Sequence, residues 1–178
     1  TSVALLESGE MVTAPEVMTQ LLRLQQLLCG YLVTDDGEVK EVPNNRMNVL
    51  LEVLEEMEGK VIIWSRFRHD IIKITEKLKQ TQNSESNVKY FISNPQTGGM
   101  GITLHAATNV IYYSNDFNLE SRKQSEDRAH RVGQHHPVLY VDLMCPNTVD
   151  VHIVKTLLTK NKLANITLGE RVLEWLKV

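Results

Sequence analysis

From residue 60 onward, short runs rich in β-branched residues alternate with segments of helical periodicity, and this alternation restricts the fold more than any other feature. The runs are Lys60-Val61-Ile62-Ile63-Trp64-Ser65, Val88 to Ser93, Asn109 to Tyr113 and Val138 to Leu143. The first is apolar almost throughout rather than alternating, as a strand covered on both faces must be. Between the runs, Ile71, Ile74 and Leu78 recur at helical spacing, and a polar helix is predicted over Leu119 to Arg131. This order predicts an α/β fold, a parallel sheet with flanking helices on both faces. Ligands of such sheets collect at the carboxyl ends of the strands. Ser65-Arg66, the Gly98 to Gly101 loop and Ser114-Asn115-Asp116 all follow strands, so they are predicted to share one edge.

Upstream, Thr13-Ala14-Pro15-Glu16 predicts a helix start, with Thr13 as N-cap and Glu16 at capping-box spacing. That helix would run to Leu28 and stop near Gly30. Thr34-Asp35-Asp36-Gly37 predicts a turn, and a second helix is predicted from about Met47 to Met57. Downstream, Thr148 opens a helix, and a separate last helix ends near Trp175. A chain of 178 residues is large enough for one real core. It is therefore expected to form a single domain over 1–178, with a helical incoming segment (1–58), an α/β core (59–145) and C-terminal helices (146–178).

No apolar stretch approaches membrane-spanning length, so no membrane role is expected. Cys29 and Cys145 stand far apart and suit a reducing cytoplasm better than a disulfide framework. The six histidines lack ligand spacing, and no metal site on the protein's own side chains is expected. Net charge is −3, so any nucleic-acid contact must come from a local patch. Arg66 with Arg68 and His69 is one candidate patch, and Arg122 with Lys123 is another.

The run Gln124 to Gln134 sets Arg128 and Arg131 three residues apart, on one helix face. Two fork-shaped cations aimed at one spot suit a polyphosphate. Taken alone, the pair also fits a solvated basic helix end, which the helix dipole favours. Glycines 98, 99 and 101 allow backbone N–H groups to approach an anion closely, although a tight strand-to-helix turn needs the same glycines.

Together these segments resemble the Swi/Snf-type ATPases of the superfamily-two helicase-like enzymes. Thr97-Gly98-Gly99-Met100-Gly101-Ile102-Thr103-Leu104 with Ala106-Ala107 resembles motif V. Asp116-Phe117-Asn118 followed by Gln124 to Gln134 is similar to the Trp-Asn-Pro segment running into motif VI. Lys60 to Arg68 is similar to motif IV, and Thr148-Val149-Asp150 with Lys160 or Lys162 to the closing helix. Leu22-Arg23-Leu24-Gln25-Gln26 with Cys29-Gly30 resembles the helix that leads into this lobe. Phe117 in place of Trp, after Tyr112-Tyr113-Ser114, gives the resemblance a phage or bacterial flavour, with the cytoplasm of a bacterial or phage-infected cell as the expected location.

The resemblance implies a second RecA-like lobe, with Arg131 as the arginine finger and Arg128 assisting or bracing it. Gly99 and Gly101 would join the arginines on the nucleotide side, with Gln124 orienting them. Ser65, Arg66, Thr97 and Gly98 would track a nucleic-acid backbone without reading sequence. For Ser65, an ordinary strand-end cap is the competing reading. Trp64 and Phe117 are expected in the core rather than as base-stacking platforms. ATP with Mg²⁺ would be held mainly by an N-terminal RecA-like lobe, since these residues contain no Gly-x-x-x-x-Gly-Lys-Ser/Thr loop. The isolated chain is therefore expected to be inactive as an ATPase. The family's strand and helix between motifs IV and V are missing, and only the stretch around Gln80 to Asn87 stands there. The expected partner is DNA, double-stranded by preference. Two alternatives remain open: an RNA-directed lobe, and a non-catalytic nucleic-acid or protein docking module on the same fold.

Overall fold

A computed structural model describes residues 2–5, 11–14, 17–81, 89–96, 104–130 and 136–175, with side chains described over 17–80, 90–96, 104–130 and 136–162. The chain opens on an antiparallel pair, β1 (Ser2–Leu5) and β2 (Met11–Ala14). Thr13 pairs with Val3 in this ladder and so is not a helix cap. The helix starts later, as α1 (Val17–Leu28). Its end is set by Gly30 at φ +91°, where an added Cβ would lie 2.7 Å from the Asn44 amide. That amide donates to the Leu28 carbonyl at 2.9 Å, so a side chain at residue 30 would displace the group that caps α1.

The predicted turn at Thr34 to Gly37 joins two further strands, β3 (Tyr31–Val33) and β4 (Val39–Glu41), in an antiparallel hairpin. The incoming segment is thus not purely helical: four short strands share it with α1 and α2 (Arg46–Glu55).

The core sheet holds β5 (Lys60–Trp64), β6 (Lys89–Ser93), β7 (Asn109–Tyr112) and β8 (Leu139–Asp142), all parallel, in the order β6-β5-β7-β8. Helices α3 (Arg68–Thr81) and α4 (Leu119–Ala129) link successive strands. Alternate residues of β5 face opposite layers, as strand geometry requires. Val61 and Ile63 join Ile74 and Leu78 of α3, Leu50 and Leu54 of α2, and Cys29 and Tyr31. Ile62 and Trp64 join Val110, Tyr112 and Ala129 of α4 on the other face. Burial on both sides explains why β5 carries no polar alternation.

The expected pair of C-terminal helices is one continuous helix, α5 (Val149–Trp175). No proline interrupts that stretch, so nothing forces a break at Gly169. The start of α5 is tied back to the core by Arg46, only 6% exposed, whose guanidinium pairs with Asp150. The same guanidinium donates to the Tyr113 carbonyl at 2.5 Å and approaches the Cys145 Sγ at 3.6 Å.

Candidate functional site

The chain leaves β5 toward β6 on one side and returns to β7 on the other, so the strand order reverses between β5 and β7. Open α/β sheets place their ligand crevice at such a reversal, outside the carboxyl ends of the strands. Here the crevice is lined by Arg66, Asn94, Ser114, Asn115, Asp116 and Arg122, and at about 10 Å³ it is close to the size of one water. A wider open groove of about 540 Å³ adjoins it, sharing Arg66 and Asp116 and adding Met18, Phe117, Glu120 and Lys160.

Arg66 is held from three sides. Its backbone N–H donates to Ser114 Oγ at 2.9 Å, and its carbonyl accepts from the Asn94 amide at 2.5 Å. Its guanidinium donates to the Gln25 side-chain carbonyl. Gln25, buried on α1, also donates to the Asn115 carbonyl at 2.7 Å. One glutamine of the incoming helix thus joins two strand-end loops.

Ser65 is 0% exposed, and its hydroxyl is shared between Asp70 and Ser114, each at 2.9 Å. As placed, it organises the loop rather than offering a donor to solvent. Burial pushes the Asp70 carboxyl up to about 6, with Ser65, Cys29, Arg46 and His69 pulling the other way. A carboxyl that titrates at about 6 in the fold and near 3.8 when unfolded binds its proton more tightly in the fold. The fold's advantage is therefore greatest below about pH 4 and falls as pH rises through 6. The cost at neutral pH is about 2–3 kcal/mol. Asp70→Asn is expected to be about 1–2 kcal/mol more stable than the parent near pH 7.5, with that gain vanishing toward pH 4. Urea unfolding across this range checks it. A gain independent of pH, or greatest in acid, would remove the assignment.

On the other face, Arg128 lies with its guanidinium carbon 5.7 Å from the centre of the Trp64 ring. Its Nη1 is buried and has no hydrogen-bond partner among the described residues. The Arg128 carbonyl accepts from Leu104 N–H at 3.2 Å, which joins the end of the glycine-rich segment to the end of α4. Trp64 is fully buried core, as expected, while Phe117 lines the open groove. Gln124 is exposed, and its amide donates to Glu120. Thr97, Gly98, Gly99, Gly101 and Arg131 lie outside the described residues, as does the stretch 82–88.

The expected patch of Arg122 with Lys123 does not form as a free surface. Arg122 donates to both Asp142 oxygens, at 2.6 and 3.2 Å, and to Glu126 and Asn115, and it stacks 3.4 Å above the Tyr112 ring. Burial works against its charge, but Asp142, Tyr112 and Glu126 outweigh that and raise its pKa above the usual guanidinium range. It tethers α4 to the sheet. The other patch is also divided, because His69 faces Glu41 at 3.2 Å and Tyr31 at 4.4 Å between ring centres.

Sequence reasoning missed Asp70, Asn94, Arg122 as a tether and the Gln25 bridge. Only the last had a visible signal, the adjacent glutamines Gln25 and Gln26 within a leucine-rich helix. Among the described residues, no group of His, Cys, Asp or Glu is placed to hold a metal ion, and no helix is long and apolar enough to cross a membrane.

Residues 75–133 match the family described as the helicase conserved C-terminal domain, a span holding both arginines and the glycine loop. Over that span the chain is similar to helicase C-terminal domains. Lymphoid-specific helicase of Homo sapiens is 40% identical to it over 91 residues, 51% of this chain. Helicase swr1 of Schizosaccharomyces pombe is 30% identical over 168 residues, 87% of this chain. The chain spans only 11% and 13% of the length of those two proteins. The C-terminal part of the Fun30 ATPase domain shares its fold, with a TM-score of 0.54 at 24% identity, over 64% of this chain and 45% of that one. The sheet is accordingly RecA-like. These relatives include human, yeast and fly proteins, all eukaryotic, so the phage or bacterial flavour finds no support in them.

Proposed function

We propose that this chain is the second motor lobe of an ATP-dependent DNA translocase or helicase-like enzyme. The observation that carries the reading is the junction over the end of β5. There the Leu104 N–H meets the Arg128 carbonyl, and the Arg128 side chain rests on Trp64 with a buried donor that no other described residue accepts. A buried guanidinium N–H without a partner is costly, and an anionic phosphate would satisfy it. The residues therefore fit one side of a nucleotide polyphosphate. They do not fit its whole cradle, because these residues contain no Gly-x-x-x-x-Gly-Lys-Ser/Thr phosphate-binding loop.

In this reading Arg131 and Arg128 face ATP across a cleft between two lobes, with Gly99 and Gly101 supplying backbone donors. Bound Mg²⁺-ATP would supply the phosphoryl group whose transfer drives stepping. Arg66, with Thr97 and Gly98, provides contacts to the backbone of duplex DNA. Ser65 and Gln25 hold Arg66 in place. The names of the relatives as helicases support nucleic acid as the substrate.

The full-length protein is expected to hydrolyse ATP in response to duplex DNA, and the isolated 178-residue chain to show no turnover above background while folded. A coupled ATPase assay on both, with duplex DNA, duplex RNA or neither, checks this. Turnover by the isolated chain would sink the two-lobe reading. A full-length protein that binds DNA without hydrolysing ATP would favour the docking module, and stimulation by RNA alone would favour the RNA-directed lobe.

A further inference from the structure

A serine hydroxyl carries one proton to give, and an ionised carboxylate carries none. Ser65 donates to Asp70 Oδ2 at 2.9 Å, which commits its proton. Ser114, 2.9 Å from Ser65 Oγ, must then be the donor to Ser65, and its own lone pairs receive the Arg66 N–H at 2.9 Å. The result is a one-way chain: Arg66 N–H to Ser114, Ser114 to Ser65, Ser65 to Asp70. Every proton in it has an acceptor, and bonds aligned in this way polarise one another. All its side chains are buried: Ser65, Asp70 and Ser114 are between 0% and 2% exposed.

We propose that Asp70 is a positioning residue for Arg66, acting through the paired hydroxyls of Ser65 and Ser114 and so setting how firmly the domain grips a nucleic-acid phosphate. This rests on the reading of Arg66 as a backbone contact. Asp70 touches no ligand itself. It lies on α3, and the groups that face it come from every element packed around it. These are Cys29 at the end of α1, Tyr31 on β3, Arg46 on α2, neighbouring His69, and Tyr113 after β7. Its Oδ1 has no hydrogen-bond partner among the described residues, so Oδ2 and the chain behind it are its principal outlet.

A protonated Asp70 can donate to Ser65. The first link then reverses, Ser65 turns its proton toward Ser114, and the Ser114 proton loses its acceptor beside the Arg66 N–H. Asp70 titrates at about 6, so the reversal falls within an accessible pH range. The effect on grip is opposite in sign to that on stability, since acid strengthens the fold at this residue while loosening Arg66. Weaker binding in acid is therefore not unfolding at this site.

The test uses the full-length protein in a His69→Gln background, which removes the neighbouring imidazole charge from the comparison. Binding of a labelled DNA duplex is measured by anisotropy at fixed salt, across the pH range around 6. The background protein is expected to lose about threefold to tenfold in affinity as pH falls through that range, the worth of one net hydrogen bond. Asp70→Asn, whose amide oxygen accepts from Ser65 at every pH, should show no such inflection. Ser114→Ala cuts the chain and should also be flat, with weaker binding throughout; it carries the test if the Asp70 variant does not fold. Arg66→Ala should bind weakly at every pH. If both chain variants reproduce the background pH profile while Arg66→Ala binds weakly, Asp70 is no positioning residue and the Arg66 contact stands. If Arg66→Ala binds like its parent, the underlying reading of Arg66 fails as well.

Discussion

Replacing Arg131 with alanine in the full-length protein is expected to lower DNA-stimulated ATP hydrolysis by about 10³–10⁵, with ATP binding nearly unchanged. The expectation follows from where charge appears. An arginine finger meets negative charge that develops on the transferring phosphoryl group, so its loss is felt in the transition state more than in the bound ground state. Helix α4 ends at Ala129, two residues before Arg131; its first turn is tied to the sheet by Arg122 and its last turn by the Leu104 contact described above. Arg131→Lys should recover little, because an ammonium lacks the planar fork. Turnover rates at saturating ATP, with fluorescent-nucleotide binding in parallel, separate the two effects. An alanine variant with parental turnover would remove Arg131 from the reaction. Arg128→Ala should lose stability as well as rate, because its side chain packs on Trp64.

Arg46→Ala is expected to destabilise the domain by about 3–5 kcal/mol, enough to consume much of an ordinary domain's stability. The alanine would leave Asp150 charged and buried, with only the Cys145 N–H at 3.1 Å still donating to its Oδ2. It would also strip the Tyr113 carbonyl of its donor. The penalty lies in the groups left behind rather than in the attraction lost. Arg46→Met combined with Asp150→Leu should therefore fall much closer to the parent than either single change. Thermal or urea unfolding of the four proteins forms a double-mutant cycle. A single-site alanine that costs less than about 1 kcal/mol would show that the pair is solvated and matters little.

The parallel core was legible because helical segments separate its strands in regular order and β5 is apolar on both faces. The arginine run and the glycine loop were legible because few folds use glutamines, arginines and glycines in that order. The short strands were not. β1 to β4 hold three or four residues each, and Ser2–Leu5 or Val39–Glu41 offers too few positions to reveal a period of two. The site's polar partners were hidden for a different reason. Asp70 and Ser65 are close in sequence but meet Ser114 only through the sheet, and Gln25 lies 90 residues from Asn115. Arg122 reads as a surface cation until Asp142, 20 residues on, is folded beneath it. Spacing along a chain names residues that act from one element. It is silent about those assembled from three.

The Gln25 bridge makes α1 a lever. A helix advances about 100° per residue, so a one-residue slip or a modest roll of α1 carries the Gln25 amide off both Arg66 and Asn115 together. A displacement of α1 would therefore loosen the loops after β5 and β7 together, because one side chain is bonded to both.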